Sequence, residues 1–297
     1  MGAGSWSKSD FASYSTIRAY ASADTRTEDI FVSRKMDAEL DPKGVTFRES
    51  FDSVDNPEST PIIVGLDVTG SMHAVLDAMA RTGLNTLATE IYDRKPVTNP
   101  HIMMMGIGDV EAHDAAPLQI TQFEADIRIA DQLTKIFLEG GGGGNNHESY
   151  MLPWYFAAHH TKIDSLTKRN KKGYIFTIGD EQPQMKLIAA HVNTIMGYTP
   201  TSDVTVQELY EEVSKMYNVF HLMVAEGNHM RRYRDTVVKE WNAILGQRAM
   251  ILEDHTKLAE VIVSTIQVSE GDDVDTVAKS WSGSTSSVVA KAISGLV

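Results

Sequence analysis

The chain of 297 residues contains no cysteine, which excludes disulfide bonds, thiolate metal sites and a cysteine nucleophile. It also lacks an excess of basic residues, because 27 lysines and arginines stand against 40 acidic residues, for a formal net charge of −13. Nucleic acids and acidic membranes are bound mainly through basic surface patches, so neither is expected as the main partner. The acidic balance is compatible with cation binding.

Long hydrophobic runs are missing as well. The N-terminus has no apolar segment of the kind found in signal peptides, and no stretch approaches the roughly 18 apolar residues of a membrane-spanning helix. These absences predict a cytoplasmic protein. The apolar content of 42% is nonetheless sufficient for one large core or two smaller ones.

Three segments differ in composition. Residues 1–60 have little apolar periodicity, and we interpret them as an extended arm or small accessory layer with a short helix near Phe11 to Ala21. Residues 61–268 alternate apolar runs with amphipathic stretches and form the predicted main domain. Residues 269–297 begin acidic and end in an apolar segment, Val288 to Val297, which either packs on the domain or docks a partner.

The central segment predicts strands that alternate with helices. Apolar runs typical of strands covered on both faces occur at 62–66, 101–108, 118–123, 173–178, 219–225 and 249–252. Helical patterns occur at 75–91, 126–138, 148–166, 186–196, 206–217, 230–245 and 255–266. In the segment 230–245 the residues expected to point inward are Tyr233, Val237, Val238, Trp241 and Leu245. This alternation predicts an α/β fold with a doubly wound, mainly parallel open sheet flanked by helices.

The run of methionines at 103–105 lies within one of these predicted strands. We interpret Met103, Met104 and Met105 as core filling and not as sulfur ligands. His147, His159 and His160 lack the spacing and the further ligand that a zinc site requires, and we interpret them as ordinary surface or core histidines.

Three loops are expected at the carboxyl edge of this sheet, where open α/β folds bind ligands. The first carries Asp67, Thr69 and Ser71, one acid and two hydroxyls that suit a hard cation such as Mg²⁺. Both acid and hydroxyl also have a purely structural explanation, in which Ser71 is the N-cap of a helix and Asp67 is a turn residue. The second loop, Gly140 to Ser149, begins with five glycines but lacks the Gly-Lys-Ser/Thr ending of a phosphate loop. The third places Asp180 after a central strand.

Taken in order, these loops resemble the metal-ion-dependent adhesion site (MIDAS) of von Willebrand factor A (VWA) domains. The segment Ile63 to Met72, IVGLDVTGSM, resembles the family's first motif, Asp-x-Ser/Thr-x-Ser. Gly140 to Ser149 and Thr177 to Asp180 resemble its second and third loops. The resemblance covers about residues 60–268 and implies a Rossmann-like VWA fold with one divalent ion, Mg²⁺, Mn²⁺ or Ca²⁺.

The resemblance also implies a role for each residue of the first and third loops. Thr69 and Ser71 match the hydroxyls that contact the ion directly. Asp67 and Asp180 match the acids that hold it, often through water.

The second loop departs from the family pattern. Asn145, Asn146, His147 and Glu148 stand where a threonine usually follows the glycines. Asn145 or Glu148 would fill the vacant coordination position, and a third carboxylate would weaken the capture of an acidic partner. The presence of Glu148 is equally explained by a structural role, since an acidic side chain stabilises the N-terminus of the helix that it opens.

We consider three functions. The first is a non-catalytic, metal-dependent protein-binding module within an intracellular assembly, whose ion accepts a carboxylate from a protein partner. The second is a Mg²⁺-dependent phosphohydrolase of the haloacid dehalogenase type with Asp67 as nucleophile, although Thr69 stands where that family has a second Asp and no catalytic Lys is evident. The third is a scaffold with a structural metal, which forms oligomers through residues 1–60 and the C-terminal tail.

Overall fold

A computed structural model describes residues 4–18, 24–140 and 144–296. Its strands are β1 (Arg48–Ser50), β2 (Thr60–Asp67), β3 (Pro100–Ile107), β4 (Leu118–Ile120), β5 (His147–Glu148), β6 (Thr161–Ile163), β7 (Gly173–Gly179), β8 (Gln182–Pro183), β9 (Lys186–Leu187), β10 (Val204–Thr205), β11 (Tyr217–Val224) and β12 (Ala249–Leu252). Its helices are α1 (Lys8–Ile17), α2 (Thr27–Ile30), α3 (His73–Ala78), α4 (Leu84–Arg94), α5 (Arg128–Leu133), α6 (Met151–His159), α7 (Asp164–Arg169), α8 (Ala189–Met196), α9 (Val206–Val213), α10 (Asn228–Leu245), α11 (Leu258–Ser269), α12 (Val274–Lys279) and α13 (Gly283–Ile293). None of these helices is long and apolar enough to cross a membrane.

The central sheet has six strands in the order β12-β11-β7-β2-β3-β4. All neighbours are parallel except the edge strand β4, which is antiparallel to β3. Counted along the chain, this is the order 3-2-1-4-5-6 that is typical of doubly wound folds. The predicted fold class is therefore confirmed. The winding direction reverses between β2 and β7, which opens a crevice at their carboxyl ends.

Helices cover both faces of the sheet. One face carries α3, α4, α11, α12 and α13, and the other carries α6, α8, α9 and α10. Along β3, Met104 packs on the first face while Met103 and Met105 pack on the second, and all three are fully buried. Strands buried on both faces need a continuous apolar sequence, so the methionine run is core filling, as predicted.

Several predicted boundaries are wrong. The predicted helix 148–166 is divided into β5, α6, β6 and α7, because Thr161–Ile163 pairs in parallel with the arm strand Arg48–Ser50. The predicted helix 126–138 shortens to α5, since the side-chain amide of Gln119 bonds to both the N–H and the carbonyl of Phe137, at 2.7 and 2.9 Å. Tertiary pairing therefore overrides local periodicity.

Two smaller differences lie in the second half of the chain. The predicted helix 186–196 begins only at Ala189, because Lys186–Leu187 pairs with Val204–Thr205. Tyr233 does not point inward as predicted: it is 49% exposed, at a place where the backbone of α10 leaves helical angles (φ −126°, ψ 26°).

The N-terminal segment packs against the rest of the same chain. The indole of Trp6 donates to Asn85 on α4, and the backbone carbonyl of Leu40 accepts from the N–H of Ile120 at 2.8 Å. The second contact covers the outer edge of β4, which would otherwise offer free backbone groups to another chain. The predicted first helix ends earlier, at Ile17, and its last predicted residues, 19–21, lie outside the described ranges.

The C-terminal segment also packs on the domain. Helices α12 and α13 lie against α11 and bury Val277, Val289 and Ile293. Of the two roles considered for the apolar end, the structure shows packing on the domain.

A partly buried ion pair links the arm to α7. Both oxygens of Asp52 accept from the guanidinium of Arg169, at 2.7 and 3.0 Å, and Oδ1 also accepts from the backbone and hydroxyl of Ser59. Burial alone would raise the pKa of Asp52, but the hydrogen bonds from Arg169 and Ser59 outweigh it and hold the pKa well below its usual range. Bidentate pairs of this kind are the strong form of the ion pair.

We expect Arg169→Met to lower the free energy of unfolding at pH 7 by about 1.5–3 kcal/mol, because Asp52 loses a charge-assisted partner. The folded pKa of Asp52 is depressed, so this stabilisation is complete above the unfolded value of about 3.9 and declines as the pH falls below it. Urea denaturation should therefore show a smaller difference between the proteins at pH 3 than at pH 7. Lys8→Met, which removes the exposed pair Lys8–Asp93, is the control and should change little.

Candidate metal centre

The topology brings the first and third loops together. Strands β2 and β7 are parallel neighbours, with Leu66 opposite Ile178, so the residues that follow them meet at the switch point. Asp67 ends β2 and Asp180 follows β7, and they are 1% and 0% exposed. The two predicted acids thus lie side by side at the carboxyl edge of the sheet.

Asp67 is held by hydrogen bonds to both of its carboxylate oxygens. Oδ1 accepts from the backbone N–H of Thr69 at 2.8 Å and from its hydroxyl at 2.6 Å. Oδ2 accepts from the hydroxyl of the buried Tyr150 at 3.2 Å. Burial raises the pKa of Asp67 to about 7, against the hydrogen bonds from Thr69, and the charge of Asp180 adds to the rise.

Ser71 links the first loop to the third. No side chain caps the short helical turn Gly70–Met72 or helix α3, so Ser71 is not an N-cap. Its hydroxyl instead donates to Oδ1 of Asp180 at 3.3 Å. The hydroxyls of Thr69 and Ser71 are therefore each paired with one of the two acids.

Asp180 also contacts the start of α10. Its Oδ2 accepts from the backbone N–H of His229 at 2.8 Å, where the positive end of the helix favours a carboxylate. This approach requires a glycine at position 227, because a Cβ there would lie 2.2 Å from Asp180. Gly227 was not singled out in the sequence.

Glu148 is buried without a hydrogen-bonding partner. It is 0% exposed, and both of its carboxylate oxygens lack a partner. Burial raises its pKa to about 11, and the charges that add to the rise are those of Asp67, Glu181, Asp109 and Asp114. Glu148 lies in β5, ahead of α6, so its position is not explained by the N-terminus of a helix.

Asn145 forms a hydrogen bond with the loop that follows β3. Its amide nitrogen donates to Oδ2 of the fully buried Asp109, whose Oδ1 accepts from the N–H of Glu111 at 2.8 Å. The amide oxygen of Asn145 is buried and has no partner. Asn145 and Glu148 thus both have buried oxygens without a hydrogen-bonding partner, but only Glu148 has its whole polar group unpartnered.

The structure adds residues that the sequence reasoning did not select. Glu181 lies next to Asp180, and burial, followed by the charges of Asp67, Asp180 and Asp109, raises its pKa to about 7. Asp109 follows β3 at the same edge of the sheet. It could have been predicted in the same way as Asp180, as an acid that comes after a buried strand. Tyr150, by contrast, has no sequence signal, since its contact with Asp67 arises only when α6 packs on the sheet.

An open cleft of about 480 Å³ lies over the two hydroxyls. Its lining consists of Thr69, Gly70, Ser71, Gly140, Gly144, Asn146, Glu181, Asn228, His229, Arg232 and Tyr233. The direct-contact residues of the predicted site therefore face a space that is accessible from outside. Residues 141–143 of the glycine run lie outside the described ranges.

The donor set at this edge fits a hard divalent cation. All candidate donors are oxygens, from carboxylates, hydroxyls and an amide, as Mg²⁺, Mn²⁺ and Ca²⁺ prefer. The named charges that perturb Glu148 and Glu181 are all those of other carboxylates, so the cluster would hold uncompensated negative charge if all of its acids were ionised. A cation would remove this conflict.

A separate group of acids lies beyond β11 and β12. Glu226, Asp254 and His255 have ligand atoms within 4.8 Å of one another, and no other such trio occurs in the described ranges. These residues already have protein partners, since Glu226 accepts from the N–H and ring of His255, and Asp254 accepts from the N–H and hydroxyl of Thr256. Around Asp67 the acids are more widely spaced, which suits a shell in which hydroxyls bind directly and acids act through water.

No family model matches this chain. No curated protein matches it either. Among solved structures, it is similar to the pilus adhesin SpaC from Lactobacillus rhamnosus GG in its open conformation, with 12% identity over 77% of this chain and a TM-score of 0.46. A second crystal structure of that adhesin gives 11% identity over 74% of this chain and a TM-score of 0.48. The chain spans 31% of the length of the adhesin in both.

We expect Gly179→Ala to destabilise the protein, because an added Cβ would lie 1.9 Å from the hydroxyl of Tyr150. Overpacking of this kind costs about 1–3 kcal/mol, and the thermal midpoint should fall accordingly. Gly295→Ala is the matched control, since its Cβ would make only ordinary contacts at 3.7 Å with Gln247. Equal midpoints for the two variants would contradict the close packing of Tyr150 against the end of β7.

Proposed function

We propose that this chain is a VWA-type, metal-dependent protein-binding module that acts within an intracellular assembly and is not an enzyme. The observation that carries the proposal is the fully buried carboxylate of Glu148, which has no hydrogen-bonding partner and lies beside Asp67 at the switch point. An ionised carboxylate in such a place is very costly unless a cation or a proton accompanies it. The adjacent hydroxyls of Thr69 and Ser71 supply the further oxygens that a cation needs.

Each residue of the site has a place in this proposal. Thr69 and Ser71 would bind one Mg²⁺, Mn²⁺ or Ca²⁺ ion directly, and Asp67 and Asp180 would hold it through water. The remaining protein position is assigned to Glu148. Asn145 is the weaker candidate, because its amide nitrogen is already committed to Asp109. The bound ion would supply positive charge and one coordination position open to the cleft.

The cleft favours a carboxylate of a protein partner as the outer ligand. Arg232 lies in its lining together with the exposed ring of Tyr233 and with His229. Arg232 would offset the negative charge of Glu181, which lines the same cleft, and would donate to the incoming carboxylate. The module would therefore recognise an acidic side chain through the ion and through Arg232 together.

The other two hypotheses have less support. For a phosphohydrolase, Asp67 would have to attack as a nucleophile, but its carboxylate is buried and accepts three hydrogen bonds, and the described lining of the cleft contains no lysine. For an oligomeric scaffold, the arm and the C-terminal segment would have to bind another chain through their outer faces, since their apolar residues Leu40 and Ile293 already pack on their own domain, at 1% and 0% exposure.

Metal binding is tested by calorimetric titration of the native chain with Mg²⁺, Mn²⁺ and Ca²⁺. We expect one ion per chain, no binding by Asp67→Ala, and at least tenfold weaker binding by Glu148→Gln, which keeps the shape of the side chain and removes its charge. Saturating metal should raise the melting temperature of the native chain but not that of Asp67→Ala.

Glu226→Gln is the matched control for this titration, because it alters the separate acidic group and should leave metal binding unchanged. Absence of binding by the native chain, or its loss in Glu226→Gln alone, would contradict the assignment. The same samples should show no turnover of p-nitrophenyl phosphate, and turnover that disappears in Asp67→Asn would instead support the phosphohydrolase.

The open coordination position is tested by water proton relaxation on the Mn²⁺-loaded protein. Acetate, a minimal carboxylate, should displace water from the ion and lower the relaxation enhancement. We expect Arg232→Ala to raise the acetate concentration required by about two- to fivefold, whereas Arg231→Ala, on the neighbouring residue outside the cleft lining, should not. Bound Mn²⁺ that does not respond to acetate would contradict the carboxylate partner while leaving metal binding intact.

A further inference from the structure

A second cavity, of about 270 Å³, lies at the opposite end of α6 from Tyr150. Its walls are the last turns of α6, the first turns of α9 and the loop that leads from α8 to β10. It shares no lining residue with the cleft over Thr69 and Ser71. A ligand in this cavity would therefore not contact the proposed metal ion.

Aromatic rings form one side of this cavity. Tyr155 and His159, one turn apart on α6, have ring centroids 4.4 Å apart. Tyr198 contributes a third ring, which is 52% exposed and stands edge-on to His160 with centroids 6.2 Å apart. Burial, followed by the charges of Tyr198 and Glu212, raises the pKa of Tyr155 to about 12, so this phenol is neutral at physiological pH.

Carboxylates also line the cavity, close to these rings. Asp203, Glu208 and Glu212 all line the cavity, and its described lining contains no lysine or arginine. Lys186 pairs with Asp203 at 2.7 Å, and His159 contacts Glu212 at 3.0 Å. Even with Lys186 counted, the charged groups at the cavity leave an excess of negative charge beside the rings.

Rings and carboxylates together select a particular ligand chemistry. The face of a tyrosine ring attracts a cation, and the attraction is strongest for groups that lose little hydration on binding, such as alkylated ammonium ions. The carboxylates repel anions and supply long-range attraction for cations. A purely apolar ligand would leave these charged groups desolvated without compensation.

We propose that this cavity is a binding site for an alkylated ammonium group, with the exposed ring of Tyr198 as its principal aromatic wall and Glu212 as its counter-charge. The group arrives either as a free small molecule or as the methylated side chain of a lysine in another protein. Tyr198 is the residue best placed to decide affinity, because it lines the cavity and its ring is the most exposed of the three.

The proposal is tested by ligand-observed NMR titration of the whole chain with choline and with its neutral isostere, 3,3-dimethylbutan-1-ol. We expect choline to bind in the millimolar range or more tightly and the alcohol to bind at least tenfold more weakly, since the two differ only in charge. Tyr198→Ala should weaken choline binding by about 3- to 30-fold, while Tyr198→Phe, which keeps the ring, should bind nearly as well as the native chain.

Glu212→Gln tests separately how much the carboxylate contributes to choline binding. The side chain of Glu212 is 43% exposed, so the fold should tolerate this substitution. We expect it to weaken choline binding without affecting the alcohol, whereas Asp67→Ala should change neither. Equal binding of choline and the alcohol, or unchanged choline binding in both Tyr198→Ala and Glu212→Gln, would overturn the proposal. A trimethyllysine peptide that binds more tightly than choline supports a protein source, and the reverse order supports a small molecule.

Discussion

Buried negative charge at the switch point is the constraint on which this edge of the protein depends. Asp67 ends β2 and Asp180 directly follows β7, the two strands between which the sheet reverses its winding, and Glu148 joins them from the second loop. Like charges that are withdrawn from water raise the free energy of one another steeply. The surroundings must therefore supply hydrogen bonds, protons or a cation.

The protein itself supplies hydrogen bonds to two of these carboxyl groups. Thr69 and Tyr150 donate to Asp67, while Ser71 and the first turn of α10 donate to Asp180. These donors fix the directions of both carboxylates before any ligand binds, which lowers the cost of organising a coordination shell. Glu148 receives no such donor, and this asymmetry is the observation on which the metal-binding proposal rests.

Much of the fold follows from local patterns. Runs such as Ile62 to Leu66 are apolar on both faces, and parallel strands buried under two helix layers require such runs. The order of strands and loops then places Asp67 and Asp180 at one edge, because parallel strands all end there. The same reasoning extends to Asp109, which follows β3 at that edge.

Other features could not be predicted from the hydrophobic periodicity of the sequence. The apolar stripe at 148–166 does not reveal that Thr161–Ile163 pairs with the arm, since a strand partner more than 100 residues away leaves no local trace. The contact of Tyr150 with Asp67, and the close approach of Gly227 to Asp180, likewise depend on how α6 and α10 pack.

The sequence by itself determined the α/β class, the strand order along the chain and the set of oxygen-bearing loops, because these depend on residue type and spacing. Only the tertiary structure decided that Ser71 bonds to Asp180 instead of capping a helix, and that Glu148 is buried without a partner in a strand. Hydrogen bonds and burial depend on which distant groups come within a few ångströms. That proximity arises from packing, which no local pattern encodes.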